Sequence, residues 1–163
     1  MATILTGGCQ CGRVRYALSA MPEGVHVCHC RMCQKAVGGP FAALTPVRLA
    51  DFAWTRGTPA RFESSSLAYR HFCADCGTPL SFGYHHRDLI EVSVGSLDTP
   101  GRVRPVRVFG TESRLAGYDS AALGQLPSRE TSVTIDGKAV PVTSHQHPDH
   151  ETAESWQPFP SGR

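Results

Sequence analysis

The seven cysteines of this 163-residue chain stand in three short clusters, and this arrangement limits most strongly what the chain can fold into. The clusters are Cys9/Cys11, Cys28/Cys30/Cys33 and Cys73/Cys76. An odd number of cysteines cannot pair completely as disulfides, and a reducing cytosol disfavours disulfides in any case. Closely spaced thiols are typical of metal sites, so we interpret the cysteines as metal ligands.

The two outer pairs predict a structural zinc site. Structural zinc takes four thiolate or imidazole ligands in a tetrahedron, and Cys9, Cys11, Cys73 and Cys76 supply such a set from two distant parts of the chain. Gly77 follows the Cys-x-x-Cys pair and would relieve its tight turn. Because the site closes a long loop, metal binding and folding should be linked. The alternative is a redox-active pair, which would need a βαβ pattern that the sequence lacks.

The central cluster predicts a site of a different kind. Cys28, Cys30 and Cys33 supply only three thiolates, which is the arrangement expected of a catalytic zinc with one open position. Three thiolates make zinc a weak Lewis acid for water, so an incoming thiol would suit the site better. Alternatively, His26 or His29 closes a second structural site, although the His29 ring should project away from a metal shared by its neighbours. We therefore expect two Zn²⁺ ions per chain.

Short segments with alternating apolar residues predict a mainly β fold, and no segment before residue 115 has a long helical period. The predicted strands are Arg13–Tyr16, Val25–Val27, Phe41–Thr45, Phe52–Gly57, Ala60–Glu63, Leu67–Phe72, Pro79–Tyr84 and Leu89–Gly95. Short helices are expected at Gln34–Val37 and Asp119–Leu126. We expect a small zinc-stabilised antiparallel β-sheet domain with an irregular C-terminal tail. Four aromatic residues should lie in the core, although one could line a pocket: Trp54, Phe62, Phe72 and Phe82.

The chain is expected to divide into a zinc-binding domain at residues 1–126 and a C-terminal extension at residues 127–163. Asp136-Gly137 between two apolar runs predicts a β-hairpin over residues 132–142. The polar stretch that follows contains His145, His147 and His150. We expect it to be a lightly packed tail whose histidines bind metal only adventitiously.

Composition is ordinary, with 40% hydrophobic and 18% charged residues and a net charge of +2, so nothing indicates an obligate nucleic-acid or membrane partner. The N-terminus has no signal-peptide pattern and no stretch approaches the ~18 apolar residues of a membrane span, which favours a cytoplasmic protein. Arg102, Arg104 and Arg107 form a basic ribbon that is most simply a solvated edge. Alternatively, the ribbon binds a nucleic-acid or protein partner, and the protein is a zinc-stabilised binding module without catalysis.

Three segments together resemble the glutathione-dependent formaldehyde-activating enzyme family, also called centromere protein V-like. They are Gly7–Tyr16, Cys28–Lys35 and Phe72–Leu80, and the resemblance covers roughly residues 4–118. It implies a β-tent fold with a structural zinc on Cys9, Cys11, Cys73 and Cys76 and a catalytic zinc on Cys28, Cys30 and Cys33. The activity it implies is the joining of glutathione to formaldehyde to give S-hydroxymethylglutathione, a carbon–sulfur lyase reaction run in reverse.

One segment departs from the family. Members often carry a His-Ile-Trp-type segment before Ser-Arg and a Trp soon after it, whereas Val108–Tyr118 has glycines at two aromatic positions. This departure concerns the pocket for the thiol and leaves zinc binding unaffected. We expect a zinc-dependent carbon–sulfur lyase that forms or breaks the adduct of a thiol, glutathione by default, with formaldehyde or another small aldehyde.

Overall fold

The structure, a computed structural model, describes residues 2–128, 133–141 and 143–157. Within these residues the strands are β1 (Leu5–Gly8), β2 (Arg15–Leu18), β3 (His26–Cys28), β4 (Ala42–Arg48), β5 (Phe52–Arg56), β6 (Ala60–Glu63), β7 (Ala68–Phe72), β8 (Pro79–Tyr84), β9 (Leu89–Ser93), β10 (Arg107–Phe109), β11 (Thr134–Ile135) and β12 (Lys138–Ala139). The α-helices are α1 (Arg31–Val37) and α2 (Ser120–Leu123). No helix in the described ranges is long and apolar enough to cross a membrane.

Most strands belong to two sheets. The larger sheet has the order β10-β3-β4-β9-β8-β7-β6, and the smaller has the order β1-β2-β5. The pairs are antiparallel apart from β10 with β3, which is parallel. The prediction of a mainly β protein with short helices is therefore confirmed, and β6 and β8 have the predicted bounds.

The predicted C-terminal hairpin is also present. β11 pairs antiparallel with β12 across Asp136 and Gly137, whose φ angles of 50° and 75° suit a two-residue hairpin turn. Residues 132 and 142, the ends of the predicted range, lie outside the described residues.

Two segments that are neighbours in sequence, β5 and β6, belong to different sheets. β5 pairs with β2, while β6 pairs with β7 at the edge of the larger sheet. Packing explains the separation, because β5 directs Phe52 and Trp54 onto the buried Tyr16, at ring-centroid distances of 5.5 and 6.0 Å. Local alternation cannot reveal this choice of partner, since it indicates only that each segment is a strand.

The buried residues form a main core and a smaller one. The main core joins both sheets through fully buried residues such as Tyr16, Leu18, Leu80 and Val92. The smaller core contains Cys33, Ala42 and Leu44, against which Cys28, Cys30, Val37 and Phe82 pack. The expectation that Phe62 lies in the core is wrong: it is 61% exposed, because β6 is an edge strand.

The tail packs more tightly than predicted at His147, which is only 7% exposed. Its backbone N–H donates to Gln10 O at 2.7 Å, and its ring lies 4.7 Å from the Trp156 ring. The ring fits over Gly12, where an added Cβ would stand 2.3 Å from His147 Cδ2. His147 therefore packs over the first cysteine pair, and the expectation of a lightly packed tail does not hold at this residue.

This burial predicts a pH-dependent stability. Burial lowers the pKa of His147 below its ordinary 6.5, and Arg15 and Arg56 lower it further, although Asp98 opposes them. Because the folded pKa is depressed, the stabilisation is present above about pH 6.5 and is lost as the pH falls through the folded pKa. We expect the urea midpoint of unfolding to be lower at pH 5.5 than at pH 7.5. This difference should be smaller in His147→Gln.

His86→Gln, which changes an exposed histidine, serves as the control and should leave the pH dependence unchanged. An equal pH dependence in wild type and His147→Gln would contradict the assignment to His147.

Candidate metal centres

The four outer cysteines come together in the structure. Their sulfur atoms all lie within 4.8 Å of one another, with Cys9 and Cys11 at 3.5 Å and Cys11 and Cys73 at 3.7 Å. Zinc–sulfur bonds of about 2.3 Å in a tetrahedron place the sulfurs about 3.8 Å apart. Cys9 and Cys73 are buried, and all seven cysteines are free thiols. The donor set and its spacing therefore fit zinc.

Both pairs of this group are held by the same kind of turn. Gly12 N–H donates to Cys9 O at 3.0 Å, and Gly77 N–H donates to Cys73 O at 2.9 Å. The two glycines have φ angles of 73° and 75°, in the left-handed region that disfavours other residues. The turn leaves the sulfurs on one side, as predicted for a metal knuckle.

Hydrogen bonds also favour the thiolate form of two of these sulfurs. Val14 N–H donates to Cys9 Sγ at 3.2 Å, and the Thr78 hydroxyl lies 3.2 Å from Cys76 Sγ. Burial raises the pKa of Cys11 and of Cys73, whereas at Cys76 burial is outweighed by the hydrogen bonds from Thr78 and Cys11 together, which lower the pKa to about 6. Four adjacent thiolates repel one another, so a divalent cation is the natural compensation for their charge.

The three central cysteines form the second group, with sulfurs within 4.8 Å of one another. Cys28 ends β3, Cys30 caps α1 and Cys33 lies in the first turn of α1. The Cys33 N–H donates to Cys30 Sγ at 3.4 Å, so the N-terminus of the helix faces this sulfur. Burial raises the pKa of Cys28 to about 12, whereas at Cys30 burial is outweighed by the hydrogen bonds from the Cys33 and Met32 N–H groups and from the two neighbouring thiols together, which lower the pKa. Three soft donors in a half-buried loop also fit zinc.

Neither nearby histidine joins this group among the described residues. His26 Nε2 instead lies 3.4 Å from Glu91 Oε2. The His29 ring packs on Phe41 at 5.5 Å, and its buried Nδ1 has no hydrogen-bond partner among the described residues. The geometry therefore favours three protein ligands and does not support the alternative of a closed second site.

The segment around β10 supports the cysteine loop, a relation that the sequence did not reveal. His29 N–H donates to Phe109 O at 2.9 Å, and the buried Gln34 side chain donates to His29 O at 2.7 Å and to Ser113 O at 2.9 Å. Gly110 lies directly against Cys30, with a φ of 65°. The chain segment that departs from the family pattern thus forms one wall of the loop.

Gly110→Ala is expected to displace Cys30. An added Cβ would stand 2.4 Å from Cys30 N, and the positive φ adds strain for any side chain, so we expect a loss of about 1–3 kcal/mol of stability. Metal content should fall at the three-cysteine group and persist at the four-cysteine group. Denaturation and metal analysis measure both effects.

Gly95→Ala is the matched control, because an added Cβ there has no neighbour within 4 Å among the described residues. If Gly110→Ala behaved like Gly95→Ala, the close contact with Cys30 would not constrain the loop.

Sequence reasoning also missed Arg70. It lies in β7, and its Nη2 donates to Cys33 Sγ at 3.4 Å across 37 positions of sequence. Alternation along β7 predicts that Arg70 faces one side of the sheet but not that α1 covers that side. Arg70 also lines a cavity of about 480 Å³, whose other lining residues come mainly from α1 and the larger sheet and include Lys35 and Leu44.

Comparison with known proteins agrees with this geometry. A sequence model of the family described as glutathione-dependent formaldehyde-activating enzyme matches residues 4–113. An uncharacterised lyase of Schizosaccharomyces pombe is 30% identical over 78 residues, which cover 48% of this chain and 56% of that protein. The chain thus spans little more than half of that relative.

A crystal structure of a Rhodobacter sphaeroides protein aligns at 22% identity and a TM-score of 0.45, covering 75% of this chain and 97% of that chain. This similarity is too low to support an argument about fold or function. The family match is stronger, because it takes in most of the chain and all seven cysteines. The chain therefore belongs to the glutathione-dependent formaldehyde-activating enzyme family.

Proposed function

We propose that the protein is a zinc-dependent carbon–sulfur lyase that forms or breaks the adduct of a thiol with formaldehyde or another small aldehyde. The observation that carries the proposal is the group of Cys28, Cys30 and Cys33, which lacks a fourth protein donor among the described residues and accepts a hydrogen bond, at Cys33, from Arg70 in the lining of a cavity. Family membership and the lyase name of the Schizosaccharomyces pombe relative support it. Glutathione is the default thiol.

In this proposal the four outer cysteines hold a structural zinc and the three central ones a catalytic zinc. When bound, the catalytic zinc favours the thiolate form of a substrate thiol near neutral pH. The protein's own contribution is positional: Gln34 and Gly110 fix the cysteine loop, and Arg70 places a positive charge beside Cys33. Holding thiol and aldehyde together supplies much of the rate gain.

The chemistry balances without a further reactant. In the forming direction the thiol loses its proton, its sulfur attacks the aldehyde carbon and a carbon–sulfur bond forms. The electron pair of the broken C=O π bond stays on oxygen, which takes up a proton, so the product carries S–CH₂–OH. The reverse reaction breaks the same bond and releases thiol and aldehyde.

The test is to supply formaldehyde with glutathione, or with other thiols, to the zinc-loaded protein and to measure exchange between free and adduct forms by NMR. We expect acceleration in both directions with an unchanged equilibrium constant. Cys33→Ser should return the rate to that of buffer while the fold and the four-cysteine zinc remain. Rates that are equal in wild type, Cys33→Ser and buffer for every thiol would refute the proposal.

The alternative hypothesis, a binding module without catalysis, is based on the basic ribbon of Arg102, Arg104 and Arg107. In the structure Arg102 donates to Ile4 O at 2.9 Å, so it holds the start of the chain in place. Arg104 and Arg107 are exposed. DNA binding that weakens with salt and on neutralisation of Arg104 and Arg107 would favour the module.

A further inference from the structure

The cavity beside α1 has a distinct charge pattern. Arg70 lines it near Cys33, Lys35 lines it from α1, and no Asp or Glu is among the described residues that line it. His71 also lines the cavity, but its Nδ1 is already hydrogen-bonded to Ser81 Oγ, at 2.9 Å. A volume of about 480 Å³ is in the range of small-molecule sites. Its charge favours an anionic ligand.

Arg70 is positioned but has no carboxylate partner among the described residues. Its Nε donates to Ser64 Oγ at 3.1 Å, and its guanidinium carbon lies 4.8 Å from the centre of the Phe82 ring. Arg61, two residues from Glu63, donates to that carboxylate at 2.8 Å instead. With Nε on Ser64 and one Nη2 hydrogen on Cys33, the guanidinium of Arg70 is held in one place, and its Nη1 edge is left to pair with a carboxylate.

The rest of the cavity is largely apolar. Its walls include Leu44, Phe72 and Pro79, and its rim includes two side chains that are left exposed, Met32 at 56% and Phe62 at 61%. Exposed apolar side chains around a cavity are typical of a ligand site. The lining also includes Ser64, His71, Ser81 and Ser93, but Ser64 accepts from Arg70, and His71 and Ser81 are hydrogen-bonded to each other. The ammonium group of a zwitterionic peptide such as glutathione would meet no carboxylate among the described lining residues.

We propose that this cavity binds the body of the thiol substrate, that the substrate is an apolar thiol with one carboxylate, and that Arg70 is the residue that selects the carboxylate. The link to a thiol rests on the proposed function. The carboxylate would pair with the free edge of the Arg70 guanidinium, Lys35 would add a second positive charge, and Phe62 and Phe72 would cover the apolar body. Arg70 then determines specificity beside the reacting group.

A purely supporting role for Arg70 makes a different prediction. If Arg70 only offsets the negative charge of the cysteine group, its removal should weaken zinc retention and leave ligand selectivity unchanged. The two roles are separated by comparing two ligands of the same shape that differ in charge.

The experiment is isothermal titration calorimetry of zinc-loaded wild-type protein with 3-phenylpropionate and with the neutral 3-phenylpropanol. Neither probe carries a thiol, so binding does not depend on the lyase reaction. We expect the carboxylate to bind at least about tenfold more tightly. Equal affinities, or tighter binding of the alcohol, would overturn the proposal without any variant.

Two variants test the residues. Arg70→Met should bring the ratio of the two affinities close to one, with zinc content measured alongside. Phe62→Ser alters an exposed side chain, so the fold should survive, and it should weaken both probes equally. A carboxylate preference that persists in Arg70→Met, or affinities unaffected by Phe62→Ser, would count against the site. If Arg70→Met lost its zinc, the ratio of the two probe affinities in the wild type and the effect of Phe62→Ser would still support or contradict the proposal.

The outcome is separable from that of the proposed function. Carboxylate binding that depends on Arg70, without catalysis on any thiol adduct, would retain the site and refute the lyase. Catalysis with glutathione or with cationic thiols as fast as with 3-mercaptopropionate would retain the lyase and refute this substrate class.

Discussion

Cys73→Ser is expected to unfold the protein. Cys73 is 1% exposed, and its sulfur stands 3.7 Å from that of Cys11 in the group proposed to hold the structural zinc. Structural zinc contributes about 10–16 kcal/mol of apparent binding free energy in small zinc peptides, whereas a whole domain is stable by only about 5–15 kcal/mol. We therefore expect loss of cooperative unfolding in circular dichroism and loss of zinc.

Cys33→Ser is the matched control, because it removes a sulfur from the other group, whose core is small. We expect it to stay folded and to retain zinc at the four-cysteine group. A strong chelator should unfold the wild type in the same way as Cys73→Ser. A folded, cooperative Cys73→Ser protein would show that the four-cysteine group is not needed for the fold.

Arg15→Met should cost about 3–5 kcal/mol of unfolding free energy. Arg15 is 1% exposed and forms hydrogen bonds with Asp98 at 2.5–2.9 Å and with Glu151 at 2.7 Å, which ties β2 to the tail. Burial alone would raise the pKa of Asp98, but Arg15 and Thr6 hold it below its ordinary value. Removing Arg15 leaves that carboxylate buried, with the Thr6 hydroxyl as its remaining side-chain hydrogen-bond donor among the described residues.

Arg61→Met removes an exposed arginine from a surface pair with Glu63 and is the control. It should cost no more than about 1 kcal/mol. Both values come from urea denaturation followed by circular dichroism. Similar losses of unfolding free energy in the two variants would mean that burial does not strengthen the pairing of Arg15 with Asp98.

Much of the metal chemistry was predictable because ligand spacing is local. Cys28, Cys30 and Cys33 need only a strand end and one helical turn to converge, and Gly77 marks the turn of its knuckle. The grouping of Cys9 with Cys73 followed from counting ligands, and the structure brings their sulfurs together. Their role as zinc ligands stays a prediction.

Partners that are distant in sequence were not predictable. Alternation indicates that β7 is a strand, but it does not say that α1 covers Arg70. The strand β10, which lies parallel to β3, was not among the predicted strands. His147 has a polar sequence context, yet it is buried because a glycine leaves space beneath its ring. Hydropathy describes the polarity of a side chain, but it does not describe the shape of the surface against which that side chain packs.

The amino-acid sequence by itself therefore determined the two cysteine groups, the family and the mainly β fold, since each depends on short-range spacing and periodicity. Only the tertiary structure decided what surrounds the three-cysteine group: Gly110 against Cys30, Gln34 between two carbonyls, and Arg70 between Cys33 and a cavity that it lines. The physical reason is that close packing selects these neighbours across long stretches of chain, and such contacts leave no periodic trace in the sequence.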